Sequence, residues 1–212
     1  MKPNTRLNSS DNSRDFERFV RICAARSGQL VNKSELGQEV GISLPTAGGW
    51  LSVLQVSNQI SFLEPYFKNI GKRLVKTPKL YLHDTGLLCF LLGLTENSFS
   101  SPSPLIGPVW ETFVFNQIKR AIASRSTSAT VWLWRDRYKN EIDFVVSHEG
   151  KLKLIEAKFS EQPTDLSKIK AIEEQIGASV RSSWVAVPIG AGYKTKEGIR
   201  VVNAVTEKNW ID

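Results

Sequence analysis

Two short apolar segments carry charged residues at spacings that could bind a metal ion. Glu141 and Asp143 stand two residues apart in the first segment, and Glu156 and Lys158 stand two residues apart in the second. Successive side chains of a strand alternate between its two faces, so a hairpin of these segments would place all four on one face. Neighbouring carboxylates repel each other, and hard divalent cations bind carboxylate oxygens. The spacing therefore indicates a cation site on this face.

The polar segment 147–150 predicts the loop of the hairpin, and this loop would place Glu141 opposite Glu156. An alternative interpretation is a solvated strand face on which Glu156 and Lys158 form an ordinary ion pair. Glu156 follows the run 152–155, which is mostly apolar, and burying a carboxylate there without a partner is costly. This context favours the cation site.

Asp143, followed after a hairpin by Glu156-Ala157-Lys158, resembles the core of the PD-(D/E)XK nuclease superfamily. The resemblance implies that Mg²⁺ or Mn²⁺ binds Asp143, Glu156 and the backbone carbonyl of Ala157. It also implies that Lys158 orients, or helps to deprotonate, the water that attacks a phosphodiester. The expected catalytic residues are therefore Asp143, Glu156 and Lys158.

A helix is predicted just before these strands, because apolar residues recur at helical spacing between 109 and 118. Glu111 lies near the start of this helix. Since a helix leading into strands opens the nuclease core, the resemblance makes Glu111 a further metal ligand, acting through water. The alternative is that Glu111 is an acid in a first turn that stabilises the helix dipole.

The first half of the chain has the pattern of three helices and a hairpin. Ser34 and Ser43 are predicted to be the N-caps of the second and third helices. Strands predicted at 59–65 and 79–83 flank a basic segment. Three helices followed by such a hairpin predict a winged helix whose wing is the basic segment.

The predicted wing carries positive charge with no acid between its basic residues, and it is predicted to contact the phosphates of nucleic acid. The residues expected to make these contacts are Lys68, Lys72, Arg73, Lys76 and Lys79. The third helix has Gly48-Gly49 and no side chain suited to reading a base edge, which favours backbone contacts over sequence-specific recognition. An ordinary solvated loop is the alternative for the wing.

These patterns predict an α/β (α+β) protein of two domains. The predicted parts are a disordered segment or linker remnant over 1–13, a winged helix over 14–95, a Ser- and Pro-rich linker over 96–104, and a PD-(D/E)XK restriction-endonuclease-like α/β domain over 105–212. In the last part, a helix over 165–176 and strands over 183–188 and 199–205 are expected to follow the acidic hairpin.

Composition limits the function classes. The 212 residues are 41% hydrophobic, which suffices for one large or two small cores. A net charge of +7 favours an anionic partner, nucleic acid, with DNA as the first candidate. Cys23 and Cys89 stand among apolar neighbours and are predicted to be buried thiols of a reducing cytoplasm. The longest apolar run, 86–94, has about half of the roughly 20 residues that a membrane helix needs, so no membrane partner is expected.

Longer motifs extend the resemblance to nearly the whole chain. The most specific is Lys-Thr-Pro-Lys-Leu-Tyr-Leu-His-Asp-Thr-Gly over 76–86, and Gly-Pro-Val-Trp-Glu follows over 107–111. With the acidic hairpin, these motifs resemble the C-terminal half of bacterial and archaeal AAA-type ATPases, a domain of unknown function. That half joins a winged helix to a nuclease-like domain, after an N-terminal P-loop domain.

The phosphate-binding motif of such ATPases is missing from the sequence. No Gly-x-x-x-x-Gly-Lys-Ser/Thr spacing occurs, so the chain is not expected to hydrolyse ATP by itself. A separate ATPase subunit is accordingly a candidate partner. Two functions remain open: a Mg²⁺- or Mn²⁺-dependent nuclease, and a non-catalytic nuclease-like module that binds DNA or a partner ATPase.

Overall fold

The computed structural model describes residues 9–66, 77–125, 128–160, 163, 166–188 and 190–211. Within these ranges the protein has six α-helices and two β-sheets, which confirms the predicted mixed α/β class. None of the described helices has an apolar stretch long enough to cross a bilayer.

The elements follow one another as α1 (Ser9–Ala25), β1 (Gln29–Leu30), α2 (Lys33–Val40), α3 (Leu44–Val56), β2 (Ile60–Leu63), β3 (Lys79–Leu82), α4 (Thr85–Leu91), a 3-10 helix (Glu96–Ser100), α5 (Ile106–Arg125), β4 (Thr130–Arg135), β5 (Glu141–His148), β6 (Lys151–Ala157), α6 (Ser167–Ile176), β7 (Val180–Val187), β8 (Tyr193–Lys194) and β9 (Arg200–Asn203). Helix α1 begins inside the predicted disordered segment 1–13, and the 3-10 helix lies inside the predicted linker 96–104.

Side-chain caps set the starts of the two short helices of the first half. Asn32 caps α2 by accepting a hydrogen bond from the Ser34 backbone N–H at 2.9 Å, so the predicted cap at Ser34 is wrong. Ser43 caps α3 as predicted, accepting from the Thr46 N–H at 3.2 Å. Cys23 is buried and Cys89 is partly buried, and both are free thiols.

The first sheet is antiparallel and has the order β1-β3-β2. Its central strand, β3, is buried along its whole length. Leu80 and Leu82 pack into the core formed by α1, α2 and α3, whereas Tyr81 packs into the core of the second half. Strand β3 therefore has one half of the molecule on each of its faces.

The second sheet has six strands in the order β4-β5-β6-β7-β9-β8. Strands β4, β5 and β6 are antiparallel, and β6, β7 and β9 are parallel. Helix α5 packs on one face through a cluster that includes Trp110, Val114 and Phe115. Helix α6 covers the other face through Ile169 and Ile172. The two strands predicted after the acidic hairpin are thus present as β7 and β9.

The turn between β5 and β6 has two residues, Glu149 and Gly150, with φ of 48° and 72°. Two successive left-handed residues are typical of a tight hairpin turn, and strand pairing starts directly beside it. The predicted four-residue loop is therefore wrong, and Glu141 is not opposite Glu156. The pairing differs from the predicted register by two residues, and an even shift leaves every side chain on its predicted face.

The two halves are in direct contact. Strand β2 leads into a backbone connection with β4, in which Tyr66 N–H donates to the Leu133 carbonyl at 2.6 Å and Leu133 N–H donates to the Glu64 carbonyl at 3.0 Å. Tyr81 of β3 stacks on Phe115 of α5, with ring centroids 4.3 Å apart. These contacts hold the start of β3 against the second sheet.

Candidate acidic site

Four carboxylates from three elements meet beside the start of β3. Glu141 and Asp143 come from β5, Glu156 comes from β6, and Glu111 comes from α5. Because α5 begins five residues before Glu111, this acid lies beyond the first turn, where the helix dipole has little effect. The dipole alternative for Glu111 therefore loses its basis.

Lys79 lies inside this cluster. Its Nζ is 2.7 Å from Glu111 Oε1, 2.5 Å from Glu141 Oε1 and 3.5 Å from Asp143 Oδ1, and the side chain is 4% exposed. Tyr81, two residues along β3 on the same face, donates its hydroxyl to Glu111 Oε1 at 2.5 Å. Two residues of the first sheet therefore complete the ion pairs and hydrogen bonds of the acids in the second half.

The prediction that Lys79 contacts phosphates on an exposed wing is consequently wrong. The basic run ends on a strand that both halves of the molecule cover, so its last ammonium is turned toward the carboxylates and away from solvent. The other four predicted wing contacts lie outside the described residues: Lys68, Lys72, Arg73 and Lys76.

Glu156 and Lys158 form the second part of the site. Lys158 Nζ lies 2.8 Å from Glu156 Oε1, and the exposed fractions of the two side chains are 45% and 13%. The other carboxylate oxygen, Oε2, is buried and accepts no hydrogen bond. The Ala157 N–H donates to Asp143 Oδ2 at 2.9 Å, which ties β6 to Asp143. A solvated strand face does not describe Glu156, because its carboxylate is largely buried.

An open pocket of about 720 Å³ gives solvent access to the cluster. Its walls are the segment 101–104, the first turn of α5 and the end of β6 with Phe159. All five residues predicted to bind metal or to act in catalysis line this one pocket: Glu111, Asp143, Glu156, Ala157 and Lys158. The structure therefore brings the predicted catalytic set together at an accessible surface.

Burial and mutual repulsion raise the pKa values of two acids in the cluster. Burial, together with the Asp143 charge, raises the pKa of Glu111 to about 8, although Lys79 and Tyr81 oppose this shift. The same two causes raise the pKa of Glu156 to about 7, against the opposing effect of Lys158. Burial disfavours the Lys79 ammonium, yet its carboxylate partners outweigh burial and hold the pKa of Lys79 well above its usual range. The cationic side chains of the cluster thus do not fully balance the charge of its carboxylates.

The oxygen ligands at the pocket suit one hard cation that is bound by two carboxylates, and they do not form a site of three acids. Asp143 and Glu156 supply two carboxylates at the pocket, and the unpaired Oε2 of Glu156 is a buried oxygen that a cation would satisfy. Mg²⁺ commonly binds through one or two carboxylates and keeps several waters. Glu111, in contrast, is held by Lys79 and Tyr81. Among the described residues, no three or more acidic, His or Cys side chains are grouped as a ready ligand set.

Three contributors to the site were missed from the sequence. Lys79 is predicted on the wing, Tyr81 is predicted in a strand and in the motif over 76–86 with no role at the site, and Arg135 is given no role at the site, although its Nη1 lies 2.8 Å from Glu141 Oε2. The motif over 76–86 was the available signal, since it places Lys79 and Tyr81 in the most specific stretch of the family resemblance.

Two family models match the chain, and the boundary between them lies between the two sheets. Residues 5–98 match the family model described as "Domain of unknown function (DUF8612)". Residues 106–206 match "Domain of unknown function (DUF4143)". Lys79 and Tyr81 therefore come from the part that the first model matches, and the four carboxylates come from the part that the second matches.

Two curated proteins are similar to part of the chain. They are uncharacterized proteins of Mycobacterium bovis and Mycobacterium tuberculosis, each 33% identical over 137 residues. The match covers 65% of this chain but only 30% of each relative, so the relatives extend well beyond the matched region.

Proposed function

We propose that the acidic pocket binds one Mg²⁺ or Mn²⁺ ion and cleaves phosphodiester bonds of nucleic acid. The observation that carries this proposal is the convergence of Asp143, Glu156 and Lys158 on one accessible pocket, where Glu156 keeps a buried oxygen without a partner. When bound, the ion would supply Lewis-acid stabilisation of charge on the phosphoryl oxygens.

The residues around the pocket have separable roles in this proposal. Asp143 and Glu156 hold the ion, and the Ala157 N–H orients the Asp143 carboxylate. Lys158 is the most exposed charged group of the set, so its ammonium can reach a substrate while still pairing with Glu156. From this position Lys158 orients the attacking water, or helps to deprotonate it.

The proposed substrate follows from charge. A net charge of +7 attracts a polyanion, and DNA is the substrate to test first. The described parts of the first half, three helices followed by the antiparallel strands β2 and β3, support the winged-helix interpretation. A winged helix that contacts phosphates without reading bases would bring DNA to the pocket with little sequence preference.

A metal-dependent cleavage assay tests the proposal. Wild type is incubated with single- and double-stranded DNA and with RNA, in Mg²⁺ or Mn²⁺ and in EDTA, while Mn²⁺ binding is measured by calorimetry. We expect Asp143→Asn and Glu156→Gln each to remove metal binding and cleavage without unfolding the protein. We expect Lys158→Ala to keep metal binding and to slow cleavage by roughly 100-fold, the typical contribution of proton transfer by a positioned group.

Matched controls are available on the exposed surface of α6. Glu174→Gln and Lys168→Ala make the same kinds of change at exposed positions that do not line the pocket, and both should behave like wild type. The proposal fails if wild type binds no Mn²⁺ and cleaves none of the substrates. It also fails if Asp143→Asn cleaves as fast as wild type.

A non-catalytic interaction module is the second candidate, and one observation favours it. The Lys79 ammonium already pairs with three of the four carboxylates, as in a cluster whose role is structural. Such a module would bind DNA or a separate ATPase subunit, the partner that the family resemblance implies. Absence of cleavage by wild type, together with a marked loss of stability in Lys158→Ala, would select this candidate.

A further inference from the structure

We infer that Lys79 is a fixed internal cation in the place that a second divalent ion would need, so that the site accepts one divalent ion and no more. This inference rests on the proposed function, because it presumes that the pocket binds a divalent ion. Beyond that function, it specifies that one ion binds per chain and assigns a positioning role to Lys79, a residue of the first half.

Three carboxylates surround the Lys79 ammonium, which is a cation supplied by the chain itself. Its three partners, Glu111, Glu141 and Asp143, present carboxylate oxygens 2.7, 2.5 and 3.5 Å from Nζ. These acids are also the oxygen ligands that a second ion would have to use. The ions of two-metal sites stand about 3.5–4 Å apart, so a second ion would compete directly with this ammonium.

Asp143 connects the two positions. Its Oδ1 faces Lys79, and its Oδ2 accepts the N–H of Ala157 on the strand that carries Glu156. An ion held by Asp143 and Glu156 would therefore have the Lys79 ammonium as its neighbour across the Asp143 carboxylate. One side of Asp143 would face a divalent ion and the other a monovalent cation.

The backbone of Lys79 is fixed on both sides. As the first residue of β3, the central strand, Lys79 pairs with Leu30 of β1 and Leu63 of β2. Tyr81 anchors the same face of the strand through its bond to Glu111. Strand pairing on both edges fixes the backbone of Lys79, so its ammonium stays tethered beside the acids, whereas a bound water exchanges with solvent.

Charge counting leads to the same stoichiometry. With all four acids ionised, the carboxylates of the cluster face three cationic side chains, so its formal charge is −1; the cations are Lys79, Arg135 and Lys158. One divalent ion would bring the cluster to +1, whereas two would bring it to +3. Concentrated positive charge of that size in a largely buried cluster is strongly unfavourable.

Counting bound Mn²⁺ tests the inference. Electron paramagnetic resonance and calorimetry are used to titrate wild type, Lys79→Met and Lys79→Arg with Mn²⁺. We expect one ion per chain in wild type, two in Lys79→Met and one in Lys79→Arg, because arginine restores the fixed cation. A purely structural lysine would alter stability in Lys79→Met but leave the number of ions unchanged. The control Lys33→Met, at an exposed position on α2, should bind one ion.

A second neutral variant keeps the test usable if Lys79→Met does not fold. Lys79→Gln removes the charge but keeps a hydrogen-bond donor beside Glu111 and Asp143, so two ions are again expected. One ion in both Lys79→Met and Lys79→Gln would overturn the inference and leave the proposed function standing. Two ions in wild type would also overturn it. No Mn²⁺ bound by wild type would overturn the proposed function and the inference together.

Discussion

Replacing Lys79 by Met should destabilise the protein strongly at neutral pH. Methionine has a similar length and leaves no large cavity, so the change isolates the loss of the ammonium. Glu141 keeps Arg135 at 2.8 Å, but Glu111 and Asp143 lose their cation in a largely buried cluster. Removing one partner of a buried ion pair typically costs about 3–5 kcal/mol, and we expect a loss of this size.

The measurement is urea unfolding at pH 7.5 followed by circular dichroism, with thermal melts in parallel. For a chain of this length each 1 kcal/mol shifts the melting temperature by about 2–4 °C, so a fall of roughly 6–20 °C is expected. Lys33→Met serves as the control, because its side chain is exposed and the change should stay within about 0.5 kcal/mol.

A double-mutant cycle tests most directly whether the Lys79 ammonium balances the charge of the buried acids. In a Glu111→Gln background, one of the acids that need Lys79 is already neutral, so Lys79→Met should cost less there. The expected coupling is about 1–3 kcal/mol, the range for residues in one ion-pair network. A loss below about 1 kcal/mol for Lys79→Met alone, or the absence of coupling, would refute the idea that this ammonium balances the buried acids.

Two further predictions follow from the site and from the turn beside it. The folded-state pKa values of Glu111 and Glu156, about 8 and about 7, exceed the unfolded value of 4.5, so between pH 4.5 and pH 8 the folded protein binds more protons than the unfolded chain. The free energy of unfolding should therefore fall as pH rises from 5 to 8, and denaturant titrations across this range should show a smaller fall in Glu111→Gln and in Glu156→Gln than in wild type. Equal slopes in all three proteins would contradict the assignment. Gly150→Ala should cost about 1 kcal/mol because φ is 72° there, whereas Gly48→Ala, in a helix with open space around the new methyl group, should stabilise by about 0.5–1 kcal/mol. Thermal melts of this pair that move in the same direction would contradict the conformational argument.

Local patterns in the sequence predicted most elements and the side chains of the pocket. Period-two alternation put Glu141, Asp143, Glu156 and Lys158 on one face, and the contacts of β5 and β6 confirm that placement. The helix carrying Glu111 followed from apolar spacing alone. These predictions succeed because periodicity and alternation are properties of one segment and its immediate neighbour.

The tertiary structure decided the register of the hairpin and the place of Lys79. Register depended on Glu149 adopting φ of 48° beside Gly150, a conformation that sequence only weakly favours in a residue other than glycine. Lys79 ends a basic run, and its charge grouped it with its neighbours as a phosphate contact of the predicted wing. Packing of the second sheet against β3 instead buried it among carboxylates more than thirty residues away, because these acids lower the free energy of a buried ammonium more than its desolvation raises it.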